Sequence, residues 1–379
     1  MLRSEFESKL DRLFKTMDPA VAGVLDRALG EHDLTTGDAL ELFNANGFEF
    51  IASMIVSDLL RKREVGNGVT FVVNRNINFT NVCTVRCAFC AFSRGVGDPD
   101  SYLMSEEEVA KRAEEAWRMG ATEVCIQGGI HPDLDPSFYA RVCRAIKARV
   151  PGVHIHAFSP MEIVHGSDRA GVSVRDFLLE LKEAGLGSIP GTAAEILDDR
   201  LRATLCPSKL SSEAWVNVIT TAHGLGLPTT ATMMYGHIDR PKQWGEHLAL
   251  LRSIQRKTGG FTEFVPLSFV HYNAAIYKRG ISRSGATGLQ DLKVCIVSRL
   301  MLGKDVKNIQ ASWVKLGPKL AQVCLMAGAN DLGGTLMNES ISKAAGSPFG
   351  ERSTVEDFVR MIRDAGRVPV QRTTTYSII

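Results

Sequence analysis

One unit recurs along this chain and constrains its fold more than any other feature: an amphipathic helix, a glycine, a short apolar strand and a loop. Ser105–Met119 shows it first. Ser105 and Glu108 form a capping box, and Val109, Ala113, Ala116, Trp117 and Gly120 follow helical spacing. The strand Thr122–Gln127 comes next and stops at Gly128-Gly129. The pattern returns around Gly152 (HIHAF), Gly185 (GSIPG), Gly226 (PTTATMMYG), Gly260 (TEFVPLSF), Gly303 (KNIQASWV) and Gly328 (ANDLGG). A β-branched stretch, VTFVV then INFTNV, precedes them all, which makes about eight strands. Strands alternating with helices predict a parallel sheet. Eight such units predict an α/β chain folded as a (β/α)8 TIM-type barrel over residues 69–335, with a doubly wound open sheet as the alternative. Residues 1–68 read as a helical extension. Asp18-Pro19 opens one helix, Thr36 begins a second, and a third runs from Phe48 to Arg63, where Arg61, Lys62 and Arg63 suit the negative end of the dipole. Residues 336–379 read as an extension packing on the barrel, with one helix at Thr354–Asp364 and a polar tail.

In such barrels the chemistry lies at the C-terminal ends of the strands. The loops after the first five strands begin at Cys83, Gly128, His156, Gly191 and Tyr235, so the rule brings them to one mouth. Composition narrows what that mouth does. The chain has 379 residues, 44 Lys and Arg against 42 Asp and Glu, and a formal net charge of +2. No strong field draws it to nucleic acid or an anionic surface. No apolar run approaches the roughly 18 residues that span a bilayer, and MLRSEFESKLDRLF lacks the apolar core of an export signal. The expectation is a cytoplasmic enzyme with no nucleic-acid or membrane partner.

Three of the eight cysteines cluster as Cys83-Thr-Val-Arg-Cys87-Ala-Phe-Cys90. Three thiolates on a short loop converge on one metal centre, and the spacing supplies no nearby fourth ligand. A structural zinc site uses four protein ligands, and so does an electron-carrying cubane. Three ligands leave one metal position open. A redox loop or a zinc-binding module is the bland alternative, but the barrel is far more scaffold than such a module needs. The glycines match neither a G-x-G-x-x-G nor a P-loop pattern, which argues against a Rossmann or P-loop enzyme.

C-x3-C-x2-C, with Phe89 before its last cysteine and a barrel strand before its first, resembles the radical S-adenosylmethionine enzymes. The resemblance implies one [4Fe-4S] cluster per chain on Cys83, Cys87 and Cys90, with its open iron chelated by S-adenosyl-L-methionine. One electron then cleaves the sulfonium, and the 5′-deoxyadenosyl radical takes hydrogen from the substrate. IQGGIHP (126–132), HAFSPMEI (156–163), GLGSIPGTAAEILDD (185–199), LCPSKL (205–210), PTTATMMYGH (228–237), TGGFTEFVPLSF (258–269), QASWVKLG (310–317) and GANDLGGTLMNESI (328–341) look like one branch, the tyrosine-cleaving transferases of deazaflavin biosynthesis. That branch implies L-tyrosine and 5-amino-6-(D-ribitylamino)uracil as substrates, an electron donor, and a separate radical partner enzyme that closes the deazaflavin ring. Aminofutalosine synthase and dehypoxanthine futalosine cyclase, of the menaquinone pathway, share the architecture and are the alternative.

Roles for single residues follow from that likeness. Phe89, Gly128, Gly129, Glu195 and Lys209 are candidates for binding the cofactor. Gly128-Gly129 also reads as a plain turn, Glu195 as a helix-start acid and Lys209 as a solvated lysine. Arg86 is expected to add positive charge beside the thiols. His154 and His156 share a strand face, and His156, nearer the strand's end, is the candidate to act on substrate. Tyr235 and His237 are expected to orient the tyrosine hydroxyl or move a proton. Glu162, Thr230, Thr232 and Asp331 are substrate-binding candidates, with Thr230 and Thr232 offering hydroxyls to the ribityl chain. Satisfied core groups are the alternative at each.

Overall fold

The computed structural model describes residue 12 and residues 14–379. The start of the expected helical extension lies outside the described residues. Three helices between Pro19 and Val65 form for local reasons. The Asp18 carboxylate accepts from Ala20 N at 2.8 Å and caps the helix Pro19–Leu29. Thr35 and Asp38 form a capping box on Thr36–Asn44, and Gly47–Val65 comes after it. Lys62 and Arg63 occupy the last turn of that third helix. Arg61 does not join them at the surface: it is fully buried, with Nε donating to Asp58 at 2.7 Å.

The strands among the described residues are β1 (Gly68–Val72), β2 (Asn74–Asn78), β3 (Glu123–Gln127), β4 (His154–Ala157), β5 (Thr229–Tyr235), β6 (Phe261–Ser268), β7 (Asp331–Gly334) and β8 (Val368–Gln371). They pair in parallel as β7-β1-β8, β2-β3-β4 and β5-β6. Val73 alone separates β1 from β2. Isolated parallel bridges link these sheets: His156 to Ser188, Ile189 to Thr229, Phe264 to Ile309 and Gln310 to Asp331. The strands expected at GSIPG and KNIQASWV are thus reduced to bridges. Pro190 has no N–H with which to extend the first, and the second turns at once into the helix Trp313–Leu316.

The tail after residue 336 holds more than was expected. Beside the helix Val355–Asp364, capped by Thr354, it contributes β8, which pairs with β1 from Gly68–Val368 to Phe71–Gln371. Arg372, just beyond β8, is buried and donates from Nε to Asp331 at 2.6 Å. Its second terminal nitrogen reaches Glu263 at 3.5 Å, and its guanidinium lies 4.0 Å from the Tyr376 ring. Tyr376 donates its phenol to Glu263 at 2.9 Å, and Thr70 donates to Asp331 at 2.5 Å. Glu123, at the start of β3, accepts from Asn74 at 2.8 Å. The N-terminal ends of the strands therefore enclose a buried, mutually bonded polar layer.

Along β5 every residue is buried, so only alternation distinguishes its faces. Tyr235 meets Trp244 of the helix Pro241–Thr258 edge-on at 5.7 Å. The odd-numbered side chains therefore face the helices, and Thr230, Thr232 and Met234 face the other way.

Candidate active site

A large cavity opens at the C-terminal ends of the strands. Asn78 of β2, Gln127 of β3, Ser159 after β4, Thr192, Thr232 and Met234 of β5, Ser268 of β6 and Lys315 all line it, as do Cys83, Cys87 and Cys90. The cysteine loop is fixed by main-chain bonds to three other segments. Cys83 N donates to Arg94 O at 3.0 Å, Thr84 N to Ile130 O at 2.9 Å and Ala88 N to Leu205 O at 2.8 Å. Arg86 sits at the bend with φ +46, and its side chain is exposed and turned toward Gly95. The expected cation beside the thiols is Lys209 instead. Its charge favours ionisation of both Cys87 and Cys90. Contact with Cys206, and then burial, still pushes the Cys87 thiol up, and burial does the same at Cys90.

Gly128 and Gly129 are glycines because of what lies beside them. A Cβ at Gly128 would come within 2.4 Å of the Phe79 ring, and one at Gly129 within 2.1 Å of Val82 O and 2.9 Å of the Cys83 Cβ. This pair packs directly under the cysteine loop. Glu162 supports it. One carboxylate oxygen accepts from Gly128 N at 3.0 Å, and the other from Ser159 N and Oγ at 2.7 and 2.6 Å. Burial raises the Glu162 pKa to about 7 against those bonds. Glu162 therefore reaches the site through the Gly128 turn and not by facing the cavity.

Glu195 and Lys209 both line the cavity and pair at 2.6 Å, with Lys209 Nζ 5.5 Å from the Phe89 ring centroid. Burial opposes both charges. The Lys209 ammonium outweighs it at Glu195 and leaves that carboxyl below its ordinary range, and Glu195 and Cys87 in turn raise Lys209. Glu195 holds φ +46, a conformation that costs a non-glycine residue energy and that concentrates at functional sites. Thr230 accepts from Gly191 N at 2.8 Å, and Thr232 donates to Gly191 O at 2.7 Å. Together they clamp the Gly191 peptide, and Thr232 also reaches the cavity.

Four expected residues stand elsewhere, each for a physical reason. Tyr235 has the wrong parity: its hydroxyl donates to Asp291 at 2.8 Å on the helix side of β5. His237 serves its own turn. Its Nδ1 accepts from Ile238 N at 2.8 Å, which leaves Nε2 as the donor to Met234 O at 3.0 Å. Asp331 begins β7 rather than ending it, and binds Arg372 and Thr70 in the polar layer. His156 bonds Ser188 Oγ through Nδ1 at 2.7 Å, as His154 does through Nε2. Burial pulls the His156 pKa down to about 4, so the ring is neutral. Gln127, which accepts from Thr192 Oγ1 at 3.0 Å, and Lys315 were not singled out from the sequence. Gln127 ends β3 and Lys315 follows the bridge residues Ile309 and Gln310, so the strand-end rule that found the cysteine loop reaches them too.

The donor set can be tested against the group it is expected to hold. Among the described residues, no three His, Cys, Asp or Glu side chains converge as a single metal ion requires. A tetrahedral zinc–thiolate site would put its sulfurs about 3.8 Å apart, from Zn–S bonds of about 2.3 Å. Cys83, Cys87 and Cys90 all line the one cavity, and three thiols from one short loop are the donor type that an iron–sulfur cluster takes.

Residues 77–251 match the model of the radical SAM superfamily, and residues 258–379 match that of the CofH/MqnC C-terminal region. The chain is 53% identical over 353 residues to the 5-amino-6-(D-ribitylamino)uracil–L-tyrosine 4-hydroxyphenyl transferase of Methanothermobacter thermautotrophicus, covering 93% of this chain and 96% of that one. The chain belongs to that transferase family. The Methanocaldococcus jannaschii member is 52% identical over 92% of this chain and 98% of its own. FO synthase of Streptomyces avermitilis is 52% identical over 90% of this chain but only 40% of its own length. Among solved structures, methylornithine synthase PylB superposes with a TM-score of 0.69 at 18% identity, over 91% of this chain and 97% of that one. The hydrogenase maturase HydG of Carboxydothermus hydrogenoformans superposes with a TM-score of 0.73 at 14% identity, over 99% and 85%. At those identities the likeness speaks for the fold alone, an α/β fold of the TIM type.

Proposed function

We propose that this family member cleaves L-tyrosine between Cα and Cβ and transfers the 4-hydroxybenzyl group to 5-amino-6-(D-ribitylamino)uracil, a step toward the deazaflavin FO. The observation that carries the reading is the cavity holding all three motif cysteines in a chain 53% identical to a transferase of that name. The run of pairings and bridges from β1 round to β7, and from β7 back to β1, supports a closed (β/α)8 barrel over residues 69–335, flanked by the extensions 1–68 and 336–379.

Cys83, Cys87 and Cys90 hold one [4Fe-4S] cluster, and S-adenosyl-L-methionine completes it. When bound and reduced, that pair supplies the one-electron cleavage that starts hydrogen abstraction. The chain's own residues do the positioning. The loop bonds to Arg94, Ile130 and Leu205 hold the cysteines at fixed places. Gly128 and Gly129 keep the wall flat beside them, and Glu162 holds that wall through Gly128 N. Glu195 and Lys209 form a paired polar flank that contacts the cofactor without adding net charge, with the Phe89 ring beside them. Thr232 and Gln127 present polar atoms to the uracil substrate, and Thr230 fixes the Gly191 turn between them. Such rigid placement is worth a large share of a rate, because small displacements of reacting atoms are costly. A separate enzyme closes the deazaflavin ring, and an electron donor reduces the cluster in the cytoplasm, where thiols stay reduced.

The test uses protein reconstituted without oxygen, with reductant, S-adenosylmethionine, tyrosine and the ribityl-diaminouracil. Mass spectrometry follows 5′-deoxyadenosine and the hydroxybenzyl adduct. The adduct is expected only when both substrates are present. Background 5′-deoxyadenosine over an intact cluster would reject this substrate pair and direct attention to a futalosine.

A further inference from the structure

Among the described residues, the charged side chains that line the cavity are three: Glu195, Lys209 and Lys315. Glu195 and Lys209 satisfy each other at 2.6 Å. Lys315 is left. It sits in the short helix Trp313–Leu316, which follows the bridge residues Ile309 and Gln310, and it is half-buried on the cavity wall. Two acids are near enough to act on its charge, Glu339 and Glu195. Neither bonds it. Glu339 accepts from Ser342 N at 2.7 Å to cap the helix Ser340–Ala344, and Glu195 holds Lys209. No side-chain hydrogen bond or ion pair engages the Lys315 ammonium among the described residues. Burial pulls its pKa down, with Glu339, Glu195 and Cys90 opposing. A cation held this way against a cavity is a site for an anionic partner.

The chemistry of the substrates selects that partner. The ribityl-diaminouracil carries hydroxyls, amines and a neutral ring, but no anionic group. Tyrosine carries an α-carboxylate. We propose that Lys315 is the counter-ion for the α-carboxylate of L-tyrosine, anchoring the amino-acid end of the substrate beside the cysteine loop. This rests on the transferase reading above. It makes Lys315 a specificity determinant: it selects amino acids with a free carboxylate against amines of the same shape. S-adenosylmethionine bears the same α-carboxylate chemistry, so the test must separate the two sources.

Cluster-loaded protein with S-adenosylmethionine and no reductant is titrated with labelled tyrosine, and separately with labelled tyramine, which lacks only the carboxylate. Wild type is expected to bind tyrosine more tightly than tyramine by about 10- to 100-fold, the range for a hydrogen bond to a charged group. Lys315→Met is expected to weaken tyrosine binding by that factor, leave tyramine within about twofold, and so erase the preference. Lys315→Arg is expected to recover part of it. S-adenosylmethionine affinity, cluster absorbance and iron content should be unchanged in both variants, which also shows that they fold. In turnover the KM for tyrosine rises more than kcat falls. Equal tyrosine affinity in wild type and Lys315→Met overturns the proposal. A loss of S-adenosylmethionine affinity with tyrosine affinity intact overturns it in favour of the cofactor's carboxylate. Wild type that binds tyrosine but forms no adduct rejects the transferase reading alone; wild type that binds no tyrosine rejects both.

Discussion

The two ends of the strands solve the problem of buried charge in opposite ways. At the N-terminal ends, Arg372, Asp331, Glu263 and Tyr376 bond to one another and their neighbours, and none of them lines the cavity. At the C-terminal ends, the Glu195–Lys209 pair, Lys315 and three thiols stand on the wall of an open cavity. A closed polar layer specifies the packing of the strands, whereas an open one is available to ligands. The contrast shows that a polar side chain on a strand is informative only once its end of the strand is known.

Removing any motif cysteine tests the open end most severely. Cys83→Ala, Cys87→Ala and Cys90→Ala should each lose the cluster and all detectable 5′-deoxyadenosine, yet melt within a few degrees of the unloaded wild type. Iron content and thermal unfolding measure the two halves of that statement, and retained iron with full turnover would dissolve the distinction. Arg372→Met tests the closed end. It strands Asp331 and Glu263 as buried acids without their counter-ion, which costs about 3–5 kcal/mol of stability in chemical denaturation. Turnover per folded, cluster-loaded molecule should stay within a few-fold of wild type, since none of the three lines the cavity.

Acidity gives a subtler separation, because two buried groups, one bracing the cavity wall and one outside its lining, have opposite signs. Glu162, which braces the cavity end, titrates near 7 in the folded chain against about 4.3 in an unfolded one. Between those values the folded state binds more protons, so this group's contribution falls as pH rises. His156, buried on β4 and bonded to Ser188, titrates near 4 against about 6.5 unfolded. Between those values the unfolded state binds more protons, so this contribution grows as pH rises. Comparing denaturation of the wild type with Glu162→Gln and with His156→Asn from pH 4.5 to 7 should therefore change the slope in opposite directions. Equal slopes in both variants would refute the assignment. The mildest change is Tyr235→Phe. Losing its bond to Asp291 costs about 1 kcal/mol, and adduct formation should stay within twofold. A hundredfold loss of kcat would return Tyr235 to the chemistry.

These residues also show what was legible before the structure. Strands flanked by amphipathic helices stood out because the two periodicities differ. β8 escaped notice because VPVQ is only four residues long and contains Pro369. The cysteine loop was plain because its ligands are neighbours in sequence. Lys315 was not, because its meaning depends on where Glu195, Lys209 and Glu339 bond, and those contacts join distant segments. Tyr235 was misjudged for one reason, whereas His237 lies past the strand, where only the turn's own bonds decide its place. β5 is buried on both faces, so its composition carries no alternation to say which side chains face the cavity. A shift of one residue exchanges Met234 for Tyr235 there.

The position of Arg372 has a consequence for how the molecule comes into being. Glu263 precedes its cation by 109 residues. At about 5–20 residues per second, a ribosome makes the acid some 5 to 20 seconds before the group that neutralises it. During that interval the strand starts hold carboxylates with no counter-ion, and they keep water among them. Nascent chains should therefore remain sensitive to protease until β8 has docked, and cluster assembly, which needs the opposite ends of the same strands aligned, becomes a late event in the life of each new copy.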